Sequence, residues 1–185
     1  MKRLFIATKI ELEQPFLDLE QNLKRYLAND KIVWVEGKLQ HITHRFLGQT
    51  PDAQIPKLKQ ILNNISHDFN AFNLEMNKLG VFGSRYAPSV IWLGFEEFGA
   101  YLSLFNDLER QLLDLGFDPN HGNVVPHITL GRVKETQSRK YFWEIIDKNQ
   151  PQFSQQISIA EIILYQSRLQ PTGPIYTPLY TVKLR

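Results

Sequence analysis

The residues of this chain best suited to chemistry are two histidine–threonine pairs. The segment His41-Ile42-Thr43-His44 recurs 86 residues later as His127-Ile128-Thr129-Leu130. Both segments have the composition of β-strands, in which side chains alternate between two faces. His41 and Thr43 therefore share one face, and His127 and Thr129 share another. If the two strands are neighbours, two imidazoles and two hydroxyls converge on one place.

This set of groups suits phosphoryl transfer by general acid and base. The unperturbed pKa of histidine is roughly 6.5, so near neutral pH one imidazole can accept a proton from water while the other donates one to a leaving oxygen. Threonine hydroxyls can hydrogen-bond the non-bridging oxygens and hold the phosphate in line. A cyclic phosphodiester is the natural substrate, because its ring opens with one water and two proton transfers.

Composition excludes several other classes of function. The 185 residues include no cysteine, which excludes disulfides, thiolate catalysis and cysteine-based metal sites. The formal charge of +2 is too small for broad capture of duplex nucleic acid, although a sequence pI near 8.8 leaves room for a local basic cleft. The first residues form too short an apolar run for a signal peptide, and no later run approaches a membrane span. We expect a cytoplasmic protein with no membrane association.

The two pairs must be positioned by strands, and helices must cover those strands. Helices with one apolar stripe are predicted over residues 15–27, 55–65, 97–115 and 137–148. Strands are predicted over residues 3–10, 32–35, 39–47, 69–81, 89–95, 124–133, 156–166 and 175–184. Each half of the chain thus holds helices, strands and one histidine–threonine pair.

No linker or shift in composition divides the chain, so residues 1–185 are predicted to form a single domain of two lobes. The predicted fold class is α+β. Two pseudo-symmetric antiparallel β-sheets, with flanking helices, surround a central cleft to which each lobe contributes one His-x-Thr motif.

The motifs and their flanks resemble the two-histidine phosphoesterases of the LigT-like RNA 2′,3′-cyclic phosphodiesterase group. Phe46-Leu47-Gly48 follows the first motif, and the second lies between Pro126 and Arg132. The resemblance extends over nearly the whole chain, including Arg3-Leu4-Phe5-Ile6-Ala7 and Ser167-Arg168-Leu169. It implies hydrolysis of RNA 2′,3′-cyclic phosphate ends to 2′-phosphates without a metal or other cofactor, with His41 as proton donor and His127 as proton acceptor.

Further candidates come from position along the strands. Arg45 has the same parity as His41 and Thr43, which predicts a phosphate contact in the cleft, with a solvated arginine as the alternative. Arg132 stands where related sequences carry an arginine after the second motif, which implies a phosphate or nucleotide contact. Phe5, Tyr86 and Tyr176 are candidates for base stacking, although packing is the favoured interpretation of each.

His44 departs from the family pattern, which has an apolar residue there. By parity it points away from His41, so we interpret it as a structural histidine. A metal site built from His41, His44 and His127 is disfavoured, because the first two lie on opposite strand faces and no acidic residue adjoins either motif.

Three classes of function follow from these residues. The first is the cyclic phosphodiesterase, a hydrolase acting on RNA ends or small nucleotides that carry a 2′,3′-cyclic phosphate, which we expect to be a monomer. The second is a 2′-5′ RNA ligase that runs related chemistry in reverse. The third is a non-catalytic module that binds RNA ends.

Overall fold

The computed structural model describes residues 1–171 and 173–185. Within these residues the chain forms four helices and nine strands, with short 3-10 turns at Gly37–Leu39 and Asp52–Gln54. In chain order they are β1 (Lys2–Lys9), α1 (Gln14–Tyr26), β2 (Lys31–Trp34), β3 (His41–Thr50), α2 (Ile55–Asp68), β4 (Phe72–Gly83), β5 (Pro88–Phe95), α3 (Gly99–Asp114), β6 (His127–Glu135), α4 (Arg139–Lys148), β7 (Gln155–Ile159), β8 (Glu161–Gln170) and β9 (Gly173–Lys183).

The strands form one curled antiparallel sheet that consists of two halves. Its order is β7-β4-β5-β6-β3-β1-β8-β9, and β2 also pairs with β6. The strands β3 and β6 meet at the centre through the single pair Ile42 and Ile128, whereas the neighbouring pairings run over several residues. The two halves are therefore joined at the middle residue of each His-x-Thr motif.

Helices α1 and α3 each follow a strand of one half of the sheet but pack on the other half. Helix α1 follows β1, but the backbone N–H of Glu13 at its start donates to Gln155 on β7, and Lys24 near its end lies over Trp34 on β2. Helix α3 follows β5, but Tyr101 contacts His44 on β3. This exchange means that neither half buries its apolar face without the other.

The helices form where amphipathic stripes meet good terminal residues. Pro15 lies in the first turn of α1, where its missing N–H costs no hydrogen bond. The Ser138 side chain accepts a hydrogen bond from the Tyr141 N–H at the start of α4. As the periodicity predicts, α1, α2 and α3 each bury one apolar stripe, which consists of Phe16, Leu19, Leu23, Leu58, Ile61, Leu62, Ile65, Tyr101, Leu104, Leu108 and Leu112.

The predicted α+β fold with two lobes is confirmed, and most element boundaries agree to within a few residues. One prediction is wrong: residues 156–166 form parts of two strands, β7 and β8, which separate at Ala160. β7 alternates in burial and β8 begins with a run of buried apolar residues, and no glycine or proline marks the break between them in the sequence. No helix in the described part of the chain is both long and apolar enough to cross a membrane.

Candidate active site

His41 and His127 are the first residues of β3 and β6, the two strands that meet at the centre of the sheet. Because Ile42 pairs with Ile128 in an antiparallel sense, His41 lies on the side of Thr129, and His127 lies on the side of Thr43. Ile42 and Ile128 are fully buried, whereas the four polar residues around them are partly exposed on the opposite face. The structure thus brings the two predicted pairs together on one face of the curled sheet, which we call the cleft.

Both imidazoles are held in the same way by the backbone just before them. His41 Nδ1 lies 2.6 Å from the Leu39 carbonyl oxygen, and His127 Nδ1 lies 2.8 Å from the Val125 carbonyl oxygen. A carbonyl only accepts, so each Nδ1 carries a hydrogen and donates it. In the neutral ring Nε2 is then the basic nitrogen. Each half of the sheet supplies one Nε2 that can take up or release a proton.

Aromatic rings surround both imidazoles and restrict their rotation. The His41 ring lies 5.2 Å from Phe5 and 5.4 Å from Tyr176, measured between ring centroids. The His127 ring lies 4.7 Å from Phe82, almost perpendicular to it, and 6.3 Å from Trp92. Each imidazole is therefore fixed in two respects: aromatic packing holds its plane, and a carbonyl selects its tautomer.

Burial lowers the pKa of both candidate catalytic histidines. For His41, loss of solvation lowers the pKa most, the Leu39 carbonyl opposes this, and His127 and Arg132 add a further lowering. For His127, burial again dominates, the Val125 carbonyl opposes it, and Arg132 lowers the pKa further. Both side chains are only partly buried, so both groups can still exchange protons.

The strands bulge directly after both motifs, and these bulges decide which arginine faces the cleft. In β6, Thr129 pairs with Trp92 and Gly131 pairs with Ile91, so Leu130 is the extra residue. Side-chain parity changes there. Arg132 consequently lies on the face of His127 despite its opposite parity, in the position implied by the family resemblance.

The corresponding bulge in β3 sends Arg45 away from the cleft. Thr43 pairs with Ala7 and Arg45 pairs with the fully buried Ile6, so His44 is the extra residue. The Arg45 Nε donates to Glu109 of α3 at 2.9 Å, and a second guanidinium nitrogen donates to the Asp118 carbonyl oxygen. The parity argument that placed Arg45 beside the substrate is thus wrong, because it assumed an unbroken strand.

The residue that corresponds to Arg132 in the first half is Phe46. It pairs with Phe5 in register, and the two ring centroids lie 6.0 Å apart on the cleft side. The Phe46 side chain is 59% exposed. The two lobes therefore present an aromatic ring and a guanidinium at equivalent places.

His44 is buried on the opposite side of the sheet, and its structural interpretation is confirmed. Thr8 Oγ1 donates to the Glu161 carbonyl oxygen at 2.6 Å, so it accepts from His44 Nε2–H at 2.8 Å. The Tyr101 hydroxyl lies 3.3 Å from His44 Nδ1, which can accept its hydrogen. Burial lowers the pKa of His44 to about 3, with a smaller effect of His41. The neutral ring fills a hydrogen-bonded site beneath the cleft.

Sequence reasoning missed the two aromatic residues that pack against His127. Phe82 and Trp92 lie on β4 and β5, and their ring centroids are 4.9 Å apart. The signal that could have found them is glycine: the Trp92 ring lies against Gly80 and 2.7 Å from the position that a Cβ on Gly94 would take. A tryptophan that faces a glycine on the neighbouring strand, with a second glycine two residues along its own strand, indicates a ring lying flat across a sheet.

Phe5 and Tyr176, both proposed as base-stacking candidates, pack against His41 instead of standing free. Phe5 is only 3% exposed and also stacks on Tyr165 at 5.1 Å. Burial raises the pKa of Tyr176, and the charges of Arg132 and Arg3 oppose this rise. Within the described residues, no group of three or more histidine, aspartate or glutamate side chains is arranged to hold a metal ion.

One histidine–threonine pair from each half of the sheet, brought together on one face, is the arrangement expected of a two-histidine phosphoesterase. The profile of the family described as "LigT like Phosphoesterase" matches residues 9–92 and 96–176. The chain belongs to this family, which confirms the predicted resemblance and makes it a phosphoesterase.

The chain is similar to relatives and to solved structures over almost its whole length. An RNA 2′,3′-cyclic phosphodiesterase of Thermotoga maritima is 32% identical over 183 residues, which cover 96% of this chain and 93% of the relative. That of Methanothermobacter thermautotrophicus is 27% identical over 184 residues and 98% of both chains. A Thermus thermophilus protein has the same fold at a TM-score of 0.80 and 22% identity, over 99% and 98% of the two chains. The structure of Escherichia coli LigT in complex with 3′-AMP matches at a TM-score of 0.74 and 23% identity, over 99% of this chain and 98% of that one.

Proposed function

We propose that this phosphoesterase hydrolyses RNA 2′,3′-cyclic phosphate ends to 2′-phosphomonoesters by a metal-independent acid–base mechanism. The observation that carries the proposal is the matched pair of Nδ1–carbonyl hydrogen bonds, which leaves one basic Nε2 on each side of the cleft. The relatives described as RNA 2′,3′-cyclic phosphodiesterases support the choice of substrate.

In the proposed mechanism, His127 Nε2 accepts a proton from water as that water attacks phosphorus. The bond from phosphorus to the 3′ oxygen breaks in line with the attack, and His41 Nε2–H donates its proton to this leaving oxygen. The Thr43 and Thr129 hydroxyls and the Arg132 guanidinium bind the non-bridging oxygens, on which negative charge is concentrated. The histidines then exchange protons with solvent, which restores the starting state. We place this site within a single two-lobed domain, residues 1–185.

The purified protein should open a 2′,3′-cyclic phosphate in the presence of EDTA. The substrates are adenosine 2′,3′-cyclic phosphate and a short oligonucleotide with the same end, and chromatography against 2′ and 3′ phosphate standards locates the product. His41→Ala and His127→Ala should each lose about 10²- to 10⁴-fold in kcat. His67→Ala is the matched control, because His67 lies exposed on α2.

Several outcomes of that assay would contradict the proposal. Activity that persists in both site variants would exclude the histidine pair, and strict dependence on a metal would exclude the mechanism. Binding of the oligonucleotide without turnover would favour the RNA-end binding module. Joining of the cyclic end to a second RNA that carries a free 5′ hydroxyl would favour the ligase.

The pH profile of kcat/KM should be bell-shaped, with its maximum on the acid side of 6.5. Activity needs His127 neutral and His41 protonated, and burial lowers the pKa of both below the ordinary histidine value of 6.5. As the pH rises above the lowered pKa of His41, this histidine loses its proton, so kcat/KM should fall about tenfold per pH unit. A bound phosphate anion favours the protonated imidazole, so the alkaline limb of kcat should lie at higher pH. A flat profile from pH 5 to 9, with chemistry rate-limiting, would contradict these roles.

A further inference from the structure

A second surface with nucleic-acid chemistry lies outside the two-histidine cleft. The tip of the β4–β5 hairpin and the first turns of α4 enclose an open depression of about 360 Å³. Its walls combine aromatic rings with positive charges, from Arg85, Tyr86, Arg139, Lys140 and Trp143. The Tyr86 side chain is 82% exposed. We call these five residues the hairpin platform.

The hairpin tip is held rigidly by α4 through its backbone. The Trp143 Nε1–H donates to the Arg85 carbonyl oxygen at 3.1 Å, and the Arg139 guanidinium donates to the Tyr86 carbonyl oxygen at 3.3 Å. Gly83, with φ of +103°, makes the tight entry into the turn. These bonds hold the main chain, and the Tyr86 ring remains open to solvent. The main chain that carries Tyr86 therefore needs no further ordering when a ligand stacks on the ring.

The groups of the hairpin platform match those that hold single-stranded nucleic acid. Nucleobases stack on aromatic side chains and on guanidinium planes, while cations follow the phosphates. The Arg85 guanidinium lies 5.4 Å from the centre of the Trp143 ring, so a cation–π contact already exists at the edge of the depression. Glu144 and Asp147 also line the depression, further along α4, and the three cations lie towards the hairpin.

The hairpin platform is connected to the cleft by one short piece of strand. Phe82, whose ring packs on His127 at 4.7 Å, precedes Tyr86 by four residues. Four residues of chain span at most about 14 Å, which corresponds to roughly four nucleotides at the 3.4 Å rise of a stacked strand. A strand whose terminal nucleotide lies beside His127 can therefore reach Tyr86 with its next few nucleotides.

We propose that the hairpin platform binds the RNA strand on the 5′ side of the terminal nucleotide, so that the enzyme acts preferentially on oligonucleotide ends over free cyclic mononucleotides. This proposal rests on the proposed function. A 2′,3′-cyclic phosphate closes the 3′ end, so all further nucleotides leave the cleft in one direction. The hairpin platform supplies stacking and charge on that path.

The test compares adenosine 2′,3′-cyclic phosphate with an octanucleotide that carries the same cyclic end. In the double variant Arg85→Gln/Tyr86→Ser, kcat/KM on the octanucleotide should fall about tenfold or more, and kcat/KM on the mononucleotide should stay within twofold. The matched control is Arg25→Gln/Tyr26→Ser, the same residue pair on the surface of α1. The control should change neither value. The salt dependence of the octanucleotide KM should also weaken in the hairpin variant.

Three results would overturn the proposal. They are an equal loss on both substrates, no loss on the octanucleotide, and a wild-type enzyme that does not favour the octanucleotide. Failure of the proposed function is a separate result, in which the wild-type protein hydrolyses neither substrate. Binding of a fluorescent octanucleotide with a 3′-phosphate then decides the strand site: weaker binding by the hairpin variant than by the control supports it, and equal binding overturns it.

Discussion

Replacing His41 by alanine should reduce kcat on an RNA 2′,3′-cyclic phosphate about 10³-fold, and a sulfur atom at the bridging 3′ position should restore most of that loss. The oxygen leaving group needs a proton, which His41 Nε2 supplies in the proposed mechanism. A thiol has a pKa of about 8.5, so its thiolate leaves without one. The sulfur substrate keeps the five-membered cyclic phosphate and removes the demand for a proton on the leaving atom.

The same substrate separates the two histidine roles. His127→Ala should lose activity on the oxygen and sulfur substrates alike, because the attacking water has to give up a proton in both reactions. Single-turnover rates at saturating enzyme measure the chemical step directly. Rescue of His127→Ala in place of His41→Ala would reverse the assignment of donor and acceptor, and rescue of neither variant would contradict general acid catalysis.

The free energy of unfolding should fall by about 2 to 3 kcal/mol more in the wild-type protein than in His44→Gln when the pH is lowered from 7 to 4.5. The unfolded state protonates this histidine below pH 6.5, but burial lowers its folded-state pKa to about 3. Stability is therefore complete above pH 6.5, declines as the pH falls below it, and stops declining near pH 3. Because pH 4.5 lies two units below the unfolded-state pKa of 6.5, the loss there amounts to about 2 to 3 kcal/mol.

Urea denaturation at the two pH values gives this difference, and His41 and His127 contribute equally to both proteins. His44→Gln should be less stable at pH 7 as well, since glutamine cannot reproduce the hydrogen bonds to Thr8 and Tyr101. NMR provides an independent reading on the wild-type protein, where the His44 ring signal should not titrate between pH 7 and 4.5. The same loss of stability in both proteins, or titration of His44 in that range, would contradict the buried neutral imidazole.

The sequence is sufficient to predict that the histidine–threonine pairs face the cleft, but not to predict which arginine does. Strand parity correctly separates Thr43 from His44, because both lie within the first few residues of β3. Past His44 the parity is reversed by the bulge opposite Ile6 and Ala7. A bulge depends on how a strand fits its partner, and the residues of β3 around His44 include no glycine or proline that would indicate it.

The helix positions were predictable, and their partners were not. The apolar stripes of α1 and α3 follow from spacing alone. Each of these helices packs on the half of the sheet that does not contain the strand before it, and this placement depends on the twist of the whole sheet. The packing of Phe82 and Trp92 on His127 likewise joins residues distant in the sequence. The chain breaks at Ala160 because β7 pairs with β4 whereas β8 pairs with β1, and this choice of partners is also tertiary.

The equivalence of Phe46 and Arg132 has a consequence for how a nucleotide can enter the cleft. Two half-sites with identical groups would accept a substrate in either of two opposite directions, and the roles of His41 and His127 would then be interchangeable. An aromatic ring on one side and a cation on the other give the cleft a polarity, with one end suited to a flat apolar group and the other to negative charge. The residues that follow the two bulges thus make the duplicated half-sites chemically different, so that a substrate binds in one orientation.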